Sequence, residues 1–221
     1  MTGDNRADEY KWAENFGAGI SSLEKGNFAK AARALEAAAA IAEKIELTEP
    51  LSNTLIALGD AYRLAEQYEK AEQTFKKAVT FSEKFLDDKT QYAFSNAALG
   101  RLYIELDKTI EAKNAFEQAI PIFKRQRSEA EPESISAFIG LITCYLQLSD
   151  FEQGEKLAEY AADLSRGLLG PADSNTVMVM NLWAVCAEAR GKDKKAAEIR
   201  ARIDSPDAVS SKPKRHLRAV D

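Results

Sequence analysis

The chain has 221 residues, 45% hydrophobic and 29% charged, enough to bury a sizeable core. Its net charge of −5 argues against nucleic acid as a specific ligand. No run approaches the ~18 apolar residues that span a bilayer, and Met1 to Glu9 is polar and acidic, so neither membrane insertion nor an export signal is expected and the reading is a cytoplasmic protein.

Residues 1–8 show no apolar periodicity and read as a disordered start. From residue 9 onward the chain is rich in Ala, Glu, Lys, Leu and Gln with only 6 Pro, which favours helix. Period-two runs of Val, Ile and Thr are nearly absent, so no sheet is expected. The first helical pair carries Gly19, then Phe28, Ala31, Leu35 and Ala38. The second is the clearest: Leu55, Leu58, Gly59 and Tyr62 share one helical face, and Tyr68, Ala71, Phe75 and Ala78 share the next. The pattern returns in Leu99, Gly100, Tyr103, Ala112, Phe116 and Ala119. Weaker copies follow in Phe138, Leu141, Tyr145, Phe151, Gly154, Ala158 and Ala161, and in Trp183, Ala184, Ala187, Ala196, Arg200 and Ile203. Taking Gly19, Gly59, Gly100, Ile142 and Ala184 as markers, the steps are 40, 41, 42 and 42 residues.

Within each pair a short polar turn predicts antiparallel helices: Lys25-Gly26-Asn27, Glu66-Gln67, Asp107-Lys108, Ser149-Asp150 and Arg190-Gly191-Lys192. Between pairs, Pro50, Asp87-Asp88, Pro132 and Pro171 mark helix boundaries, and Pro121 falls inside a helix, where it removes a backbone donor. The expected repeats are 12–50, 51–90, 91–132, 133–173 and 174–204, forming one domain over 9–204. The remainder, 205–221, is a basic, disordered tail: Pro206 to Asp221 is net +2, which leaves −7 on the body.

The Leu-Gly-Tyr set followed by Ala, an aromatic and Ala resembles the tetratricopeptide repeat. The second unit matches at every signature position, and the third departs at Asn96 and Thr109. A period near 42, with Gly170-Pro171 ahead of the last pair, resembles the kinesin-light-chain-type and bacterial forms of that repeat. The resemblance implies an all-α fold, a right-handed α-solenoid of five helix hairpins and about ten helices. It also implies a non-enzymatic scaffold that binds a protein or peptide in a concave groove lined by the first helix of each hairpin. Carried over residue by residue, the groove positions are Phe16, Ile20 and Leu23, then Asn53, Ile56, Asp60 and Arg63, then Phe94, Ala97, Arg101 and Ile104. Ser136, Ile139, Thr143 and Leu146 follow, then Asn181, Val185 and Glu188. For each apolar position the alternative is burial between repeats. The basic clamp with which some members grip a C-terminal carboxylate is not retained: Phe16, Ile20, Ala57, Phe94 and Ala98 stand at those positions.

Nothing in the residues points to catalysis, a metal or a cofactor. The single histidine, His216, lies in the tail, which leaves no histidine-based triad or zinc motif. Cys144 and Cys186 occupy equivalent positions on consecutive first helices, too far apart for a disulfide, and read as buried reduced thiols. Carboxylates read as surface charges, with no buried pair among them. Two alternatives to peptide binding are self-association through the C-terminal end, with Leu182 and Trp183 as anchors, and a sensor of a peptide signal.

Overall fold

Each amphipathic period becomes one helix and each short polar break one turn. The computed structural model describes residues 3–126 and 132–204. Its helices are α1 (Gly3–Glu24), α2 (Phe28–Lys44), α3 (Thr48–Leu64), α4 (Tyr68–Phe85), α5 (Thr90–Glu105), α6 (Thr109–Gln126), α7 (Pro132–Gln147), α8 (Phe151–Leu168), α9 (Ser174–Ala189) and α10 (Asp193–Asp204). No strand occurs among the described residues. The fold is the expected all-α array of five tetratricopeptide-like hairpins, stacked in the α-solenoid manner within each of two compact units. One unit carries α1–α6 and the other α7–α10, where the sequence reading drew one domain.

Several boundaries differ from expectation. α1 begins at Gly3, inside the stretch read as disordered, and Asp8 pairs with Lys44 of α2 at 2.7 Å. Pro50 lies in the first turn of α3 and Pro132 opens α7, positions where a missing N–H removes no intrahelical bond. Pro121 lies inside α6 on an exposed position, and the helix runs on through it. The basic tail lies outside the described residues.

The five hairpin turns share one construction. Gly26, Glu66, Asp107, Ser149 and Gly191 each adopt the left-handed conformation, with φ between 55° and 72°. The following N–H then reaches back five residues: Asn27 to Ser22, Gln67 to Tyr62, Lys108 to Tyr103, Asp150 to Tyr145 and Lys192 to Ala187, at 2.8–2.9 Å. This is the Schellman closure, which satisfies the last carbonyls of the first helix.

In the first unit the core consists of Leu35, Leu55, Phe75, Leu102, Phe116 and Phe123, all at most 2% exposed. Gly19, Gly59 and Gly100 leave room for this packing. A Cβ on Gly100 would stand 2.8 Å from the Phe116 ring, and one on Gly19 or Gly59 would press still closer on Leu35 or Phe75. The signature tyrosines tie successive hairpins together: Tyr62 donates to Glu36 of α2, and Tyr103 donates to Glu72 of α4 at 3.2 Å. Burial, then the Glu36 charge, pushes the Tyr62 phenol up to about 12.

The second unit packs Ile135, Phe138, Ile142, Val179, Met180 and Ile199 into its core. Cys144 and Cys186 form no disulfide and are both fully buried, as read from their spacing. Burial, reinforced by the nearby Glu155 charge, raises the Cys186 thiol to about 11. Glu155 departs from the reading of the carboxylates as surface charges. Its side chain is 3% exposed and is held by Arg190, by Lys192 at 2.8 Å and by Lys195 at 2.9 Å. Burial alone would raise its pKa, but hydrogen bonds from Lys192, Lys195 and Arg190 prevail and lower it to about 2.

Candidate protein-binding face

In the first unit α1, α3 and α5 are the first helices of consecutive hairpins, and α3 packs on both of the others. Their sequence-predicted groove residues divide into two groups. Asp60, Arg63 and Arg101 are brought together. Arg63 Nε donates to Asp60 Oδ1 at 3.0 Å, and Arg63 Nη1 donates to Glu105 Oε1 at 2.6 Å. Arg101 Nη2 approaches Asp60 Oδ2 at 3.4 Å. These four charges cross-brace α3 to α5 and sum to zero. Burial alone would lower the Arg63 pKa, but the Asp60 and Glu105 carboxylates overcome this and hold it above its ordinary value.

The two arginines are therefore both paired within the cluster, to different degrees. Arg63 is 18% exposed and committed to two carboxylates, whereas Arg101 is 32% exposed and makes only the long contact. Of the two, Arg101 retains more capacity for a ligand.

The second group is apolar or polar and lies apart from this cluster. Phe16 is half-buried and stacks on Trp12 with centroids 5.4 Å apart, while Trp12 Nε1 donates to Thr54 Oγ1 on α3 at 3.0 Å. Phe94 is half-buried and turned against Phe123 of α6, with centroids 5.2 Å apart, so its ring serves the hairpin interior. Ile56 packs on the core cluster of Ala39, Ala42, Leu51, Leu55 and Ala78, and Ala97 is 2% exposed. For these positions the alternative reading, burial in the stack, is what the structure shows. Ile20 and Asn53 are half-buried.

In the second unit Ser136 is half-buried, Thr143 turns its hydroxyl back onto the Ile139 carbonyl at 2.9 Å, and Asn181 is exposed. Trp183, offered as an exposed anchor, is only 5% exposed, with the Lys195 ammonium 5.0 Å from its ring centre.

Sequence reasoning missed Glu105 as a member of the charged cluster, although a signal was present. Asp60 and Arg101 occupy equivalent positions of adjacent repeats with opposite charge, and Glu105 stands one residue past the position equivalent to Arg63. Opposite charges one period apart on stacked helices meet.

Among the described residues, ten helices paired by Schellman turns, small residues seated against aromatic rings, and tyrosines bridging to the previous hairpin define a helix-hairpin repeat protein. The tetratricopeptide repeat model matches residues 13–84 and 52–125, and the chain belongs to that family. Among solved structures it is similar to a protein of Podosopora anserina described as carrying kinesin light chain nearly identical TPR-like repeats, at 18% identity and TM-score 0.72, covering 93% of this chain and 96% of that one. It is similar to BtubC (BKLC) from P. vanneervenii at 19% identity and TM-score 0.70, covering 92% and 84%. It is also similar to MamA 41-end from Desulfovibrio magneticus RS-1 at 16% identity and TM-score 0.64, covering 91% and 98%. At these identities the likeness is one of fold. No curated protein matches the chain. No described helix is long and apolar enough to cross a membrane.

Proposed function

We propose that the chain is a non-enzymatic interaction module that holds a protein segment against the first-helix face of its repeats. The observation that carries this reading is the charged cluster on α3 and α5. Asp60, Arg63, Arg101 and Glu105 are ordered by one another, so a ligand meets preset donors and acceptors and little side-chain ordering remains to oppose binding. An extended or helical peptide fits such a face through its backbone and charged groups. Arg101, with its weaker internal contact, is the residue best placed to reach a peptide carboxylate or carbonyl.

The test is affinity capture from native lysate with mass spectrometry, comparing the wild type with Arg101→Gln and Asn53→Lys. Arg101→Gln gives up only the 3.4 Å contact, so its melting temperature stays within about 2 °C while specific capture falls at least several-fold. Unchanged capture by both variants, with folding intact, refutes the assignment of this face.

A further inference from the structure

The last hairpin lacks the apolar joint that closes the others. Gly19, Gly59 and Gly100 each face a large second-helix side chain, Leu35, Phe75 or Phe116, and all three of these are fully buried. At the same spacing the fourth hairpin has Ile142 and Ala158, with the large side chain on the first helix and both residues fully buried. The last hairpin has Ala184 and Arg200. Neither is a large apolar group, and Arg200 turns outward to Glu188, Nη2 to Oε2 at 2.9 Å, with 46% of its side chain exposed. α10 is left with little to bury: only its Ala196 and Ile199 are buried. A helix of this length is marginal in water without tertiary packing.

Charge supplies the rest of the attachment. Lys195, in the first turn of α10, reaches Glu155 of α8 at 2.9 Å and Glu159 at 3.2 Å, and Lys192, just ahead of α10, reaches Glu155 at 2.8 Å. Lys192, Lys195 and Glu159 are a third to a half exposed, so added salt screens these contacts. Beneath them lies Trp183. The Lys195 ammonium stands 5.0 Å from its ring centre, and the ring is 5% exposed. Its indole N–H is buried without a hydrogen-bond partner among the described residues. A buried donor left unpaired is costly, and water removes that cost once the ring is uncovered.

We infer that α10 is a charge-held strap over Trp183, which lifts from α9 as a unit ahead of the other helices of its unit and does so more readily as ionic strength rises. The closed form keeps its ion pairs but hides an unpaired indole N–H. The open form hydrates the charges and that donor, and it gives up only two buried side chains. Salt weakens the attraction that favours closure, so the balance moves toward opening. The rest of the unit stays packed. Cys186 marks this: a Cβ placed on Gly154 of α8 would stand 3.0 Å from its Sγ, so the thiol lies in the contact between α8 and α9 and not beneath α10.

The experiment is amide hydrogen exchange by mass spectrometry on the full chain, from about 0.05 to about 1 M sodium chloride, with α8 as the internal reference. The expected result is that α10 amides exchange at least about tenfold faster than those of α8, and that this ratio grows at least about threefold across the salt range. Arg200→Leu, which restores a large apolar group to the joint, slows α10 exchange. Lys195→Gln speeds it at the lower salt concentration. A thiol reagent added in the same buffers leaves Cys186 unreacted. Exchange of α10 in step with α8 overturns the inference, as does a ratio indifferent to salt. So does an Arg200→Leu variant whose α10 exchanges as fast as the wild type, or labelling of Cys186 that rises with salt alongside α10, which would mean that the whole unit opens. None of these outcomes bears on peptide capture by the α3/α5 face.

Discussion

Replacing Glu155 by glutamine tests the electrostatic logic of the second unit. The carboxylate is 3% exposed and is held by Arg190, Lys192 and Lys195, which come from the turn between α9 and α10 and from the first turn of α10. The substitution keeps the shape and removes the charge. A hydrogen bond to a charged group contributes about 1.5–3 kcal/mol. The three cations are 30%, 42% and 33% exposed, so they recover water and return much of that loss. The net cost is about 2–3 kcal/mol, nearer the smaller values for breaking a buried pair. For a unit of this size it corresponds to a fall of about 10–20 °C in melting temperature.

The pH dependence follows from the same contacts. The Glu155 pKa is lowered from an ordinary 4.5 to about 2 in the folded chain, so its contribution is complete above the ordinary value and drains away as pH falls from there toward 2. Urea unfolding followed by circular dichroism, run on wild type and Glu155→Gln at several pH values, measures both effects. A difference below about 0.5 kcal/mol at pH 7, or one that does not shrink on acidification, would refute the reasoning.

Three further predictions follow from packing and turn geometry. Glu66→Gly, Asp107→Gly and Ser149→Gly should each stabilise by about 0.5–1 kcal/mol in urea titrations, because the left-handed turn strains a side-chain-bearing residue, while Gly26→Ala and Gly191→Ala should destabilise by a similar amount. Gly59→Ala should destabilise by about 1–3 kcal/mol despite its better helix propensity, since the added methyl meets the Phe75 ring, whereas Gly17→Ala, with open space around it, should gain up to about 1 kcal/mol. Both cysteines should resist a thiol reagent in the native chain and react fully in denaturant. Fast native labelling of Cys186, whose thiol is raised to about 11, would contradict its burial.

The hairpins were legible because the signature residues are local in their logic. Leu58, Gly59 and Tyr62 declare one helix face and Ala71, Phe75 and Ala78 the next, and a polar pair between them leaves no alternative to an antiparallel turn. The reduced state of Cys144 and Cys186 was legible for a similar reason, since a 42-residue spacing puts them on neighbouring helices. The pairing of the charged first-helix residues was not legible. Whether Arg63 awaits a ligand or braces two helices depends on Glu105, a residue 42 places away. Phe94 likewise sits on a first helix, yet its ring goes to Phe123.

By itself, the sequence determined the class of fold, the number of hairpins and the turns between them, because helix periodicity and turn chemistry act over a few residues and repeat at a constant interval. Only the tertiary structure decided which side chains remain available. It committed Asp60 and Arg63 to a cross-brace, buried Glu155 among three cations, hid Trp183 and left Met178 and Val185 in the open. Exposure and ion pairing depend on which helices lie side by side, and that is a property of the stack.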